Sequence, residues 1–211
     1  MGQMLDFEAF RALMAARHSE YHLAPEWVVS QESVEGMLGD LLQQMPTHFN
    51  CQPVRVVLLT GAAHARHWDL VAQALLAKIG QARFDDGTKQ KIATSFASGV
   101  ATLLFYDDPA TTQRMVAQFP GLAANFPKWA QQVQGSHQYM AWLGLVGLGF
   151  GANVQHYLGL ADAEIATLAH AHPSWQLVAQ MPFGRVVEPA APKKRLPIQE
   201  VLSVVDCASC D

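Results

Sequence analysis

The stretch "MPTHFNCQPVRVVLLT", residues 45–60, joins a helix stop to a strand and fixes how the rest of the chain reads. Pro46 stops the helical pattern before it, and Pro53, which has no N–H to give a ladder, marks where a strand starts. "VRVVLLT" (54–60) is a β-branched run of strand length. Between the prolines, Asn50 and Gln52 offer amides that both donate and accept, which suits the edge of a heterocycle with alternating C=O and N–H groups. A polar turn that merely caps a helix fits the same residues.

Upstream, Val34, Met37, Leu38, Leu41, Leu42 and Met45 recur at helical spacing behind Ser30, a candidate N-cap. An earlier amphipathic helix carries Phe7, Phe10, Leu13 and Met14 and ends in "ARHSEYHL" (16–23). Downstream, "HWDLVAQALLAKI" returns to helix through Trp68, Val71, Leu75 and Ile79. "VATLLFY" (100–106) predicts a second strand, closed by Asp107-Asp108-Pro109. Helical patterns follow over roughly 111–119 and 136–149, then a helix opening at Asp162 as N-cap, then a third strand, "WQLVAQM" (175–181). Regular βαβ alternation would give a parallel doubly wound sheet; this irregular order predicts α+β. Past Phe183, "EPAAPKKRLP" reads as an extended basic arm.

With 211 residues the chain predicts a single domain over 1–205 and a loose tail over 206–211. Hydrophobic residues make up 50% and charged residues only 15%, against a usual charged share of about 25%. That is little charge to cover a monomer, so a large subunit interface is expected to absorb apolar surface. "MAWLGLVGLGFGA" (140–152) is too short for a membrane span and predicts a buried helix. A net charge of −4 gives no basic surplus for nucleic acid. Asp6 and Glu8 break any secretory pattern and Asp6 breaks a myristoylation pattern, which leaves a cytoplasmic protein as the expectation.

Two clusters are of the kind that binds anions. Arg17, His18 and Ser19 supply guanidinium, imidazole and hydroxyl donors; Lys193, Lys194 and Arg195 add charge on a proline-stiffened segment. A phosphate monoester needs about this many donors, although solvated surface charge reads the same way from spacing alone. Other signals are weaker. "GLGFGA" matches a dinucleotide fingerprint but is followed by Gly159 and by acids that arrive early, at Asp162 and Glu164, so a Rossmann site is rejected. His64 with His67, and His170 with His172, form no closed zinc set, and surface or packing roles are expected. Cys207-x-x-Cys210 ends the chain as an inert tail, and Trp68, Trp129, Trp142 and Trp175 read as core or interface.

Taken in order, Arg17-His18-Ser19, then Pro46-Thr47-His48-Phe49-Asn50-Cys51-Gln52-Pro53, then Lys193-Lys194-Arg195-Leu196-Pro197, the chain resembles the FMN-dependent nitroreductases nearly end to end. "GLGFGANVQHY" (147–157) and "HFNCQPVRVVLLTG" are similar to the smaller, fungal-type subgroup. The resemblance implies a central, mostly antiparallel sheet flanked by helices, in an intertwined homodimer with FMN in each interface groove. It implies that Arg17, Ser19, Lys193 and Arg195 hold the phosphate and ribityl chain, and that His18 and Gln52 meet the ring edge. Asn50 would come from the neighbouring subunit, while Gln155 and His156 pack a loop against the ring. NADH or NADPH would reduce the flavin, which would pass electrons to nitroaromatic or quinone-like acceptors by a ping-pong mechanism. The alternative is a flavin-binding regulator in lipid signalling or oxidative stress with little turnover; a metal-binding protein is a weaker third. The chain departs from the bacterial pattern at His48, at Val54 and at Tyr21, where bacterial members often place Lys.

Overall fold

The computed structural model describes residues 6–206. Five strands form one antiparallel sheet in the order β1-β5-β3-β2, with a short β4 beside β5. They are β1 (His22–Ala24), β2 (Val54–Thr60), β3 (Ala101–Asp107), β4 (Gly151–Ala152) and β5 (Gln176–Glu188). The α+β class and the antiparallel sheet agree with the sequence expectation.

Helices cover both faces. On one, α2 (Gln31–Gln44) and α6 (Phe126–Gly147) bury Val34, Leu38, Ala141 and Leu145 against Leu103, Phe105, Ala179 and Met181. On the other, α3 (Gly61–Ile79), α4 (Asp86–Ser95) and α7 (Asp162–Leu168) bury Trp68, Val71, Ile92 and Ile165 against Leu104, Tyr106 and Leu177. Alternate residues of β3 thus feed opposite cores, as a period of two requires. Ser30 does cap α2, accepting from the Ser33 N–H at 3.3 Å. Asp162 does not cap α7: Ala161 holds that position, and the Asp162 carboxylate accepts instead from the Gly159 N–H at 3.0 Å, tightening the loop before the helix.

Three elements run longer than their patterns suggest. α3 begins at Gly61 and α6 at Phe126, where Pro127 sits harmlessly in the first turn. The predicted helix over 136–149 ends at Gly147, and "FGA" turns away into β4. β5 continues through Pro182 and Gly184 to Glu188, across the point where the composition shift had ended it. The terminal elements α1 (Phe7–Ala16) and α8 (Ile198–Val201) bury no residue, and Phe7 is 63% and Val204 87% exposed. The Cys207–Cys210 motif and most of the predicted tail lie outside the described residues.

Candidate functional site

The chain leaves α1 at Arg17, which is extended (φ −73°, ψ 112°) and therefore ends the helix rather than continuing it. Ser19 then bridges Ala152, and the Glu20 N–H donates to the Ala152 carbonyl at 3.0 Å. A buried Asn153 clamps this crossing, donating to the carbonyls of Glu20 at 2.7 Å and Ser95 at 3.2 Å. The Glu20 carboxylate, itself buried, accepts from the Ala190 N–H at 2.7 Å. That single bond spans 170 residues of sequence and draws the proline-rich arm onto the Arg17–Tyr21 segment.

The result is a cavity of about 290 Å³ bordered by Ser19, Tyr21, His22, Glu188, Ala190 and Lys193. The two termini do converge, as the phosphate-site expectation requires. Arg17 lies with its guanidinium 4.4 Å from the Trp142 ring centroid, and its Nε is buried without a hydrogen-bond partner. Among the described residues the Ser19 hydroxyl and Lys193 ammonium make no hydrogen bond either. His18 Nδ1 donates to the Ala16 carbonyl at 3.2 Å. Lys194 and Arg195 are exposed on the arm. Glu188, the one acid on the rim, is 3.7 Å from His22.

Asn50 and Gln52 stand elsewhere. Phe49, Asn50 and Gln52 all take left-handed φ near +50°, so the turn doubles back on itself before β2. Gln52 Nε2 donates to Asn50 Oδ1 at 3.1 Å, and Thr47 Oγ1 accepts the Gln52 backbone N–H at 3.1 Å. This turn abuts the Gln176 end of the sheet through the Asp108 N–H to Pro53 carbonyl bond. The 290 Å³ cavity lies toward the Glu188 end of β5, a strand of 13 residues, or roughly 40 Å at about 3.3 Å per residue. One chain therefore does not bring Asn50 and Gln52 to Ser19 and Lys193.

Gln155 exchanges both backbone bonds with Gln180, at 2.7 and 3.0 Å, and its side chain donates to Asn153 at 2.8 Å. His156 beside it is exposed. Sequence reasoning missed Glu20 and Asn153, the two residues that fasten the site. A lone acid within "RHSEY" and the asparagine within "GANVQ" were the signals.

His64 and His67 are buried rather than superficial. Trp68 Nε1 donates to Thr102 Oγ1 at 3.0 Å, the Thr102 hydroxyl donates to His64 Nδ1 at 2.8 Å, and His64 Nε2 donates to the Ala97 carbonyl at 3.1 Å. Burial lowers the pKa of both imidazoles, that of His67 to about 3. They are packing groups. No cluster of three or more His, Cys, Asp or Glu side chains among the described residues is placed to hold a metal, and no helix there is long and apolar enough to cross a membrane.

The model of the nitroreductase family matches residues 14–185. The Saccharomyces cerevisiae protein HBN1 is 32% identical over 181 residues, covering 85% of this chain and 87% of HBN1. The nitroreductase FRM2 of the same yeast is 31% identical over 191 residues, covering 89% and 92%. The nitroreductase CinD from Lactococcus lactis, solved in complex with nicotinic acid, superposes with a TM-score of 0.86 at 31% identity, covering 93% of this chain and all of CinD. CinD has also been solved with 4-nitrophenol. The fold is the nitroreductase fold, and the chain belongs to the nitroreductase family of oxidoreductases.

Proposed function

We propose that the protein is an FMN-dependent oxidoreductase that works as a homodimer. The observation that carries this reading is the Glu20–Ala190 clasp, which brings Ser19 and Lys193, both with unused bonding capacity, to one cavity, with Arg17 and Arg195 each two residues from its wall. A dianionic phosphate would satisfy the Arg17 guanidinium, the Ser19 hydroxyl and Lys193 together, with Arg195 approaching along the arm. A cavity of about 290 Å³ is at the lower edge of the ~300–1,000 Å³ range of ligand clefts. It suits the phosphate and ribityl end of the cofactor and leaves the ring to be covered elsewhere.

Asn50 and Gln52 supply that cover if a second copy brings its 46–53 turn across. Exposed apolar residues at both ends of the chain (Phe7, Phe10, Leu196, Ile198, Val201 and Leu202) support such a partner, since obligate interfaces are large and apolar. When bound, FMN supplies the redox chemistry: hydride in from NADH or NADPH, then two electrons out to a nitroaromatic or quinone-like acceptor, in ping-pong order. The chain's part is to bind and orient. Arg17, Lys193 and Arg195 anchor the phosphate, Ser19 and Tyr21 meet the ribityl chain, and His18, Asn50 and Gln52 meet the ring edge. Gln155 and His156 set the loop that closes on the ring, a loop fixed by the Gln155–Gln180 bonds.

The test is the visible spectrum and mass of the purified protein. A yellow dimer that bleaches under NADH and recovers its colour on adding a nitroarene is expected. A colourless monomer that takes up no FMN would overturn the proposal, and a yellow dimer without turnover would favour the regulator.

A further inference from the structure

A larger cavity, about 690 Å³, lies away from the one between the termini. It lies between α5 (Pro109–Gln118), α6 and the first residues of β5, at the opposite end of that strand. Two residues lining it are more than nine-tenths buried and each holds an unused oxygen. Thr112 Oγ1 has no hydrogen-bond partner. Gln134 spends its Nε2 on the Tyr106 carbonyl at 3.0 Å, and its Oε1 has no partner.

Asp107 is the only charged residue in the lining. Its neighbour Asp108 is paired with Arg55 at 2.8 Å, which leaves Asp107 only the Gln134 amide at 3.5 Å. His48, Arg55 and Asp108 are the charges that act on it through space, and burial raises its pKa. The rest of the wall includes Val116, Ala130 and Leu177. Gln113, Gln131, Gln138 and Gln176 also line the cleft as neutral amides that can turn either end to a ligand, so the one fixed charge is negative and it disfavours phosphates and carboxylates. The acid and the two unused oxygens match a ligand whose head is all donor.

We propose that the α5–α6 cleft is a binding site for an organic cation, an amidinium or ammonium head on an apolar body. Its N–H groups bond to the Asp107 carboxylate, Gln134 Oε1 and Thr112 Oγ1, and its body lies against Val116, Ala130 and Leu177. A bare metal ion is a poorer occupant, because three oxygens fall short of the six or more that hard cations take. The site does not depend on the flavin reading.

Benzamidine titrated into the flavin-loaded protein, followed by calorimetry, tests this. Saturable binding of one benzamidine per chain is expected, with neutral benzamide at least about tenfold weaker, the value of a hydrogen bond to a charged group. Asp107→Asn should weaken benzamidine by about tenfold or more and Thr112→Val by about threefold. Absence of saturable binding, equal affinity for benzamide, or an unchanged Asp107→Asn protein would each overturn the proposal. If Asp107→Asn fails to fold, the benzamide comparison and Thr112→Val decide. FMN absorbance is read separately, so a colourless protein that still binds benzamidine keeps this site and loses the flavin.

Discussion

Arg17 and Lys193 on one side, and His64 and His67 on the other, are nitrogen-rich side chains that the fold treats in opposite ways. The histidines face each other's helical turn inside the core, where burial suppresses their charge. Lys193 stands at a cavity and Arg17 two residues from its Ser19 wall, both with bonding capacity unused. What separates a packing group from a binding group here is what the fold leaves unspent.

The largest expected effect tests the buried side. His67 has neither ring nitrogen hydrogen-bonded and sits edge-on to Trp68 at 4.8 Å. Its pKa falls to about 3, chiefly through burial and secondly through His64. In the unfolded chain the ring takes a proton near the usual imidazole value of 6.5; in the folded chain it does not until about 3. Stability is therefore whole above pH 6.5 and drains as pH falls toward 3, at about 1.4 kcal/mol per pH unit. Between pH 6 and 4 the wild type should lose about 3 kcal/mol more than His67→Phe in urea unfolding. Equal losses would show that the imidazole is reached by water.

The next effect tests the exposed side. Arg17→Ala should weaken FMN binding by roughly 1.5–3 kcal/mol, the value of a charged hydrogen bond, and lower stability by about 1 kcal/mol through the lost Trp142 contact. Lys193→Ala should weaken FMN comparably yet leave the unfolding free energy within about 0.5 kcal/mol. FMN titrations matching wild type for both would remove the phosphate site, and with it the contrast.

The same contrast explains what could be read from the sequence. α2, β2 and β3 declare themselves because their apolar residues follow one period without interruption. α6 hides its first ten residues because its buried stripe runs through Gln134 and His137, polar groups that bond to backbone carbonyls. α4 buries only Ile92, and its signal is the cap, Asp85 accepting from the Thr88 N–H at 2.8 Å. β5 runs past its predicted end at Met181 through Pro182 and Gly184, residues that usually break strands. Pro182, like Gln180 two residues before it, faces the 153–155 loop rather than β3, so its missing N–H costs the central ladder nothing. Gly184 is required: a Cβ there would lie 2.5 Å from the Ala24 carbonyl oxygen. The cationic motifs were legible because their residue types are rare side by side. Glu20 and Asn153 were not, because their worth lies in partners as far as 170 residues away.

Asn50 and Gln52 fall between the two extremes, exposed like Lys193 but already bonded to each other. Gln52→Ala removes one surface hydrogen bond and keeps the backbone bond to Thr47, so the unfolding free energy should move by no more than about 0.5 kcal/mol. FMN affinity should fall by only about three- to fivefold, since a neutral hydrogen bond is worth about 1 kcal/mol or less. That loss requires the neighbouring copy, because within one chain Gln52 lies far from Lys193. Mixed dimers of Gln52→Ala and Lys193→Ala chains give the sharpest reading: one groove then carries both lesions and the other neither. Half the sites should bind FMN with wild-type affinity. Two weakened sites, one mildly and one strongly, would place a chain's own Gln52 and Lys193 in the same groove and break the cross-subunit arrangement.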